Sequence, residues 1–292
     1  MTVTGTPTAV PRSDPRDRLG PFRPPVRVPA AAAPWVLELV HAPPAPARVL
    51  HSGAEAVYLD VGGRCLGVLT RRAARVPCGV RTSMSALPPI TTGTPQLVGG
   101  GSVALPGCRV EVVGTLDTQV GRLPRDGVRR AAARSAELLD RRADRLAVVR
   151  EELSEEGLRD LAAGGPDSVP RLLGAGPGLT PLGDDVLSGW LVAAAATGAA
   201  ARGGVRDAVR AHTGRTAART SMLSATLLHC AGDGEALPEV RDLVQALAGV
   251  RPERVDRALD RLLAVGGTSG AGLALGCLLA LAGATSPAER AG

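Results

Sequence analysis

The spacing of apolar positions changes near Gly121. Before it, apolar residues come in short runs broken by turn residues. Residues 56–61 and 64–70 are two such runs on either side of Gly62-Gly63, the two-residue spacing of a tight hairpin. Residues 102–105 and 109–114 flank Pro106-Gly107 in the same way, and Pro and Gly from 88 to 101 mark loops. After Gly121 the spacing becomes helical. Residues 126–152 predict one long helix with Leu138, Leu139, Leu146 and Val149 on its apolar face. Ser154 is placed to cap a further turn through Leu161. Helices are expected at about 186–201, 205–214, 216–230, 237–248, 253–265 and 270–282, and no repeat of fixed period is visible. This pattern predicts an α+β protein, with a β-rich N-terminal domain (34–120) followed by an all-α C-terminal domain (121–285). Residues 1–33 are rich in Pro and Arg, show no period and read as a disordered tail, and 286–292 read as a short second tail.

Composition alters this picture in two ways. The 292 residues contain no Lys, no Asn and a single Ile, while Ala, Arg, Gly, Pro, Val and Leu dominate. That bias follows GC-rich codons and weakens any argument from the net charge of +6. Arg and acidic residues alternate through 129–156, with no dense basic block and almost no aromatic side chain for base stacking, which argues against a nucleic-acid partner. The five cysteines are scattered, odd in number and free of C-x-x-C spacing, so buried thiols are expected rather than disulfides or a zinc site. Cys230 as a nucleophile has no visible partner. The start of the chain has no apolar signal-peptide core, and the most apolar runs, 186–201 and 273–282, are shorter than the ~20 residues a bilayer requires. No membrane partner is expected, and the localisation expected is cytoplasmic.

The densest chemical signal is the segment 174–185, Gly-Ala-Gly-Pro-Gly-Leu-Thr-Pro-Leu-Gly-Asp-Asp. Gly174, Gly176, Gly178 and Gly183 free the backbone for positive φ and for close approach to a ligand. The segment runs into an apolar helix, whose start offers unpaired N–H groups and the positive end of the dipole, a setting for a small anion. It is not a Walker A loop, which ends in Gly-Lys-Ser/Thr, nor a dinucleotide fingerprint. Asp184 and Asp185 would repel a phosphate unless they hold a Mg²⁺ ion, accept from a ligand amide, or serve only as helix caps. Thr180 before Pro181 is an ordinary helix-start pair. A cap needs one such residue, and the accompanying glycines point to a ligand.

Two further segments read as companions of the loop. Thr220 and Ser224 stand four apart, on one expected helix face, where their own backbone could equally satisfy them. Residues 266–270, Gly-Gly-Thr-Ser-Gly, place Thr268 and Ser269 before the last apolar helix, as caps or as a second binding loop. Two such loops suggest two helix starts converging on one small anion. His51, at a strand end before Ser52, is a ligand candidate, although a lone His is more often structural. His212 and His229 lack acidic partners at metal-ligand spacing.

In this helical setting the loop resembles the signature of a bacterial family that includes the AllH subunit of oxamate carbamoyltransferase, Gly-x-Gly-x-Gly-Leu-Thr-Pro-Ser-Gly-Asp-Asp. Gly174, Gly176, Gly178, Leu179, Thr180, Pro181, Gly183, Asp184 and Asp185 match, and Leu182 replaces the Ser. His51-Ser52, residues 220–224 and residues 266–270 resemble further family elements, with Gly267 where His is often found. The resemblance implies a carbamoyl transfer between oxamate and phosphate, linking oxalurate to carbamoyl phosphate in anaerobic allantoin (purine) degradation, performed with two other subunits. It implies that Thr180, Asp184 and Asp185 serve catalysis. The glycines 174, 176, 178 and 183, with Thr220, Ser224, Thr268, Ser269 and His51, would bind the small anionic substrate. The residues establish no cofactor, and Mg²⁺ held by Asp184 and Asp185 stays one of the open readings of the Asp pair. Two other readings stay open: a non-catalytic scaffold or regulatory subunit, suggested by the polar groups lost at 182 and 267, and a Mg²⁺-dependent phosphate-ester hydrolase using the Asp pair.

Overall fold

The computed structural model describes residues 24–199, 202–214 and 219–284. The β part is a closed barrel built from β1 (Val26–Ala32), β2 (Ala45–Ser52), β3 (Ala56–Val61), β4 (Arg64–Leu69), β5 (Gly79–Thr82), β6 (Pro95–Gly99), β7 (Ser102–Leu105) and β8 (Cys108–Thr115). The strand order is β1-β5-β4-β3-β2-β6-β7-β8, and β1 closes it by pairing in parallel with β8 and antiparallel with β5. Alternate residues point inward: Val28, Ala30 and Ala32, then Val57 and Leu59, then Val110 and Val112 form one core with their neighbours. Both expected hairpins are present. Gly62 and Gly63 take φ of 61° and 83°, the double positive φ that a two-residue turn between twisted strands requires.

Three elements differ from the periodicity. Residues 1–23 of the expected tail lie outside the described residues, but 26–32 form β1. Its alternation is written in Ala and Pro rather than β-branched residues, which hides the strand. Pro29 stands opposite Glu111 of β8, but the N–H groups that face β8 alternate from Val26, so position 29 faces the β5 side, where pairing begins only at Ala30. The expected loop 88–101 contains β6, with its proline at the first strand position. A short helix, α1 (Pro34–His41), begins on a proline and adds Val36 and Val40 to the barrel core.

The helical part comprises α2 (Arg125–Arg141), α3 (Ala143–Glu152), α4 (Glu155–Ala162), α5 (Ser168–Leu172), α6 (Leu182–Thr197), α7 (Arg202–Thr213), α8 (Met222–Gly232), α9 (Pro238–Ala248), α10 (Glu253–Leu263) and α11 (Ser269–Ala282). The long helix expected over 126–152 breaks at Arg142, whose φ of −118° lies outside helical geometry. Ser154 caps α4, its Oγ accepting from the Gly157 N–H at 3.1 Å. Helices α6 and α11, both apolar around nearly their whole circumference, pack against each other more extensively than any other pair and carry the centre of the core. No helix among the described residues is long and apolar enough to cross a membrane. Residues 286–292, expected as a tail, lie outside the described residues.

The barrel docks on α8 and α9. The Cys65 N–H donates to Thr226 Oγ1 at 2.9 Å, Trp35 Nε1 donates to Glu235 Oε2 at 2.7 Å, and Arg75 pairs with Glu239 at 2.6 Å. The Arg64 guanidinium lies 4.1 Å from the centre of the Trp35 ring. All five cysteines are free and buried, as expected, and burial pushes the Cys230 thiol well above its ordinary value. A thiol held neutral in this way is a packing group, not a nucleophile.

Candidate functional site

The glycine loop leaves α5, runs along the surface and turns into α6. Its conformation depends on its glycines: Gly174, Gly176 and Gly178 take φ of 74°, 102° and 98°. A Cβ at Gly174 would lie 1.9 Å from the Arg219 carbonyl oxygen, and one at Gly183 would lie 2.0 Å from that of Leu172. Here, then, glycine serves backbone packing. At Gly178 a Cβ would meet nothing within 4 Å among the described residues. Gly176, Gly178 and Leu179 are exposed, and Thr180 is half-buried.

Asp184, only 1% exposed, pins the loop. Its Oδ1 accepts from the Gly174 N–H at 2.7 Å, and its Oδ2 accepts from Thr220 Oγ1 and from Ser224 Oγ, the latter at 2.7 Å. Neither hydroxyl is spent on its own helix. Thr220 in fact precedes α8, which begins at Met222, so the two residues meet at the carboxylate and not along one helix face. Ser221, which the sequence did not single out, caps α8 through the Ser224 N–H at 3.0 Å and also donates to the Leu179 carbonyl. A Ser before an apolar helix was the available signal, since it is an ordinary N-cap. Burial raises the Asp184 pKa, against the opposing pull of the bonds from Thr220, Gly174 and Ser224.

Asp185 faces the other way. It is 7% exposed, and its Oδ2 has no hydrogen-bond partner among the described residues. Together with Ser188 and Glu235 it lines a cavity of about 30 Å³ between α6, α8, α9 and α11, room for about one or two water molecules. Desolvation pushes its pKa up to about 8, the nearby Asp184 charge adds to the rise, and the Ser269 hydroxyl opposes it. Glu235 is raised too, by burial, against the bond from Trp35. Ser188 and Glu235 carried no readable signal, because only the fold brings them beside Asp185.

The raised carboxyl has a stability consequence. A group whose folded pKa lies above its unfolded value binds more protons when folded. Stability therefore falls as pH rises from about 4 to about 8 and levels off beyond. Asp185→Asn is expected to flatten that slope and to unfold no earlier than the parent at pH 8, since no ligand within the chain is lost. A denaturant series across pH 5–9 checks this, and an unchanged slope refutes it.

The second glycine loop meets the first. Thr180 Oγ1 and Ser269 Oγ lie 3.1 Å apart, joining the starts of α6 and α11. Thr268 and Gly267 stand exposed beside them. The free backbone donors are not those at the start of α6. There Gly183 donates to the Ala175 carbonyl at 2.9 Å, and Asp184 and Asp185 both donate to that of Pro181. The N–H groups of Gly176, Gly178, Leu179 and Thr180 have no partner among the described residues. Leu182, where the family signature has Ser, is buried against Gly272 of α11 and is a packing residue here. His51 lies on β2, its ring 6.2 Å from that of Tyr58, in the barrel rather than the loop cluster. His212 bonds its own helix at the Ala208 carbonyl, and His229 bonds Thr213.

A Mg²⁺ ion between Asp184 and Asp185 finds little to hold it. The oxygens of Asp184 already accept three bonds, the two carboxylates serve different surroundings, and no group of three or more His, Cys, Asp or Glu is placed for a metal among the described residues. Such a donor set does not fit Mg²⁺, which takes near-octahedral oxygen coordination.

Residues 172–281 match the family model of the oxamate carbamoyltransferase subunit AllH. The match begins at the end of α5 and runs to the end of α11. It thus contains the glycine loop, Thr220–Ser224 and the Thr268–Ser269 loop, and the resemblance read from those segments holds there. The barrel, and His51 with it, lies outside the matched residues. No solved structure matches the chain.

Proposed function

We propose that the chain is a subunit of an oxamate carbamoyltransferase-type enzyme that binds a small anion (phosphate, carbamoyl phosphate or oxamate) where the starts of α6 and α11 converge. The contact between Thr180 and Ser269 carries this reading, because it joins two glycine loops across 89 residues of sequence and brings the second beside the open N–H groups of the first. The N–H groups of Gly176, Gly178, Leu179 and Thr180 would take the negative oxygens of the ligand or of a tetrahedral intermediate, in the manner of an oxyanion hole. Asp184 positions the loop and touches no ligand.

Asp185 supplies the proton. In the direction from oxalurate, a phosphate oxygen attacks the carbamoyl carbon, the C–N bond to the oxamate nitrogen breaks, and that nitrogen needs one proton. A carboxyl that stays protonated near neutral pH gives it, through the Ser269 hydroxyl, and recovers one from the attacking phosphate. Other subunits would complete the substrate pocket, in keeping with the subunit named by the matched family.

Thermal-shift and calorimetric titrations with phosphate, carbamoyl phosphate and oxamate test the site. Thr180→Ala and Ser269→Ala are each expected to weaken binding about tenfold or more while leaving the fold intact. Saturable binding that neither substitution affects would place the anion elsewhere. A second reading, a scaffold subunit without ligand chemistry, draws support from Leu182, whose buried side chain makes a structural contact where the family signature has a hydroxyl. Assembly with partner subunits while no anion binds, alone or in the complex, would establish that reading instead.

A further inference from the structure

Away from the glycine loop, a cationic groove of about 520 Å³ lies between α9 and α10. Arg251, Arg254, Arg257 and Arg261 line it, and Asp242 is its single acidic residue. Asp242 is already paired with Arg261, at 3.1 Å. Arg251, Arg254 and Arg257 have no hydrogen-bonded or ion-paired partner among the described residues. Many other arginines of the helical half do have one: Arg129 with Asp126, Arg141 with Glu137, Arg142 with Asp256, Arg145 with Asp260, Arg171 with Glu156, and Arg206 and Arg210 with Asp233. Carboxylates pair with these guanidinium groups elsewhere on the surface, Asp233 with two of them, whereas the one carboxylate of the groove pairs with Arg261 alone.

The spacing argues for more than one phosphate. Arg254, Arg257 and Arg261 recur every three or four residues on one face of α10, a stripe of about 10 Å along the helix. Arg251 stands just before the helix. A lone phosphate would reach one or two of these guanidiniums and fill little of the groove, whose volume falls in the range of small-ligand sites. Guanidinium groups bind phosphate oxygens in pairs and hold their charge at any accessible pH.

We propose that the groove between α9 and α10 binds a small polyanion carrying two or more linked phosphate groups, held by Arg251, Arg254 and Arg257. The site is separate from the loop at α6 and does not depend on the carbamoyl reading. Binding weakens as salt rises, because the arginines are solvent-exposed.

Isothermal titration of the full chain with inorganic tripolyphosphate and with inorganic phosphate tests this. One tripolyphosphate site per chain is expected, at least about tenfold tighter than phosphate when phosphate is titrated into Thr180→Ala, where the glycine loop no longer contributes. The double charge reversal Arg254→Glu/Arg257→Glu is expected to weaken tripolyphosphate binding about 30-fold or more, with an unchanged circular dichroism spectrum, while Thr180→Ala leaves it unaltered. Absence of saturable binding, equal affinity for the two anions, or binding that survives the charge reversal would each overturn the proposal. Loss of tripolyphosphate binding in Thr180→Ala would assign the anion to the glycine loop and overturn it as well.

Discussion

Gly276→Val is expected to destabilise the protein by about 3 kcal/mol or more, the upper end for overpacking a core. The reason is the crossing of α6 and α11. A Cβ at Gly276 would lie 2.0 Å from the Val186 carbonyl oxygen and 2.7 Å from the Trp190 nitrogen, both backbone atoms of α6. The facing position is equally tight, since a Cβ at Gly189 would lie 2.1 Å from the Leu273 carbonyl oxygen. A flexible side chain can rotate out of the way, but a helix backbone cannot, so the two helices would have to separate along their whole contact. The Cys277 thiol donates to the Gly189 carbonyl at 3.2 Å in the same seam and would lose its acceptor. Separation would also part the starts of both helices, where Thr180 meets Ser269, so anion binding should fall with stability. Urea unfolding followed by far-ultraviolet circular dichroism measures the loss. A variant with the parental midpoint would mean that the helices pack less closely than described.

Asp184→Ala is the second large effect, with an expected loss of about 3–5 kcal/mol. Three hydrogen bonds end on this carboxylate, and bonds to charged groups contribute about 1.5–3 kcal/mol each. The sum is offset in part, because half-buried Thr220 can turn to water and the burial cost of the carboxylate disappears. Ser224 is buried and would keep an unpaired hydroxyl. Asp184→Asn should fall between parent and Ala, since an amide has one accepting oxygen and turns an NH₂ group toward a donor. The neighbouring Asp185→Asn should cost little by the same assay, because its Oδ2 has no partner to lose. Two adjacent aspartates thus divide into one that holds the loop and one whose burial favours the neutral form. Faster amide exchange at Gly174 in Asp184→Ala, at a temperature where the variant is folded, would confirm that the carboxylate pins the loop. Equal stability losses at 184 and 185 would contradict the division.

Much of the architecture was legible in the chain because it rests on local periodicity. The alternation around Gly62-Gly63 and Pro106-Gly107 marked two hairpins, and the change of period past Gly121 marked the helical half. The glycine loop and the hydroxyl segments at 220–224 and 268–269 also stood out, since special backbone conformations need special residues. Less visible were strands written in Ala and Pro, such as β1, and the break at Arg142 between two stretches of unbroken helical pattern.

By itself, then, the sequence determined the element types, the order of a β-rich part before a helical one, and the loop on which the chemistry is proposed. These depend on residues within a few positions of one another. Only the tertiary structure decided how the carboxylates differ. Asp184 finds partners 10, 36 and 40 residues away, whereas Asp185 enters a cavity shared with Glu235. Closure of the barrel by β1, the meeting of Thr180 with Ser269 and the unpaired arginines between α9 and α10 belong to the same class. Each depends on burial and on contact between distant segments, and neither quantity is defined until the chain has packed.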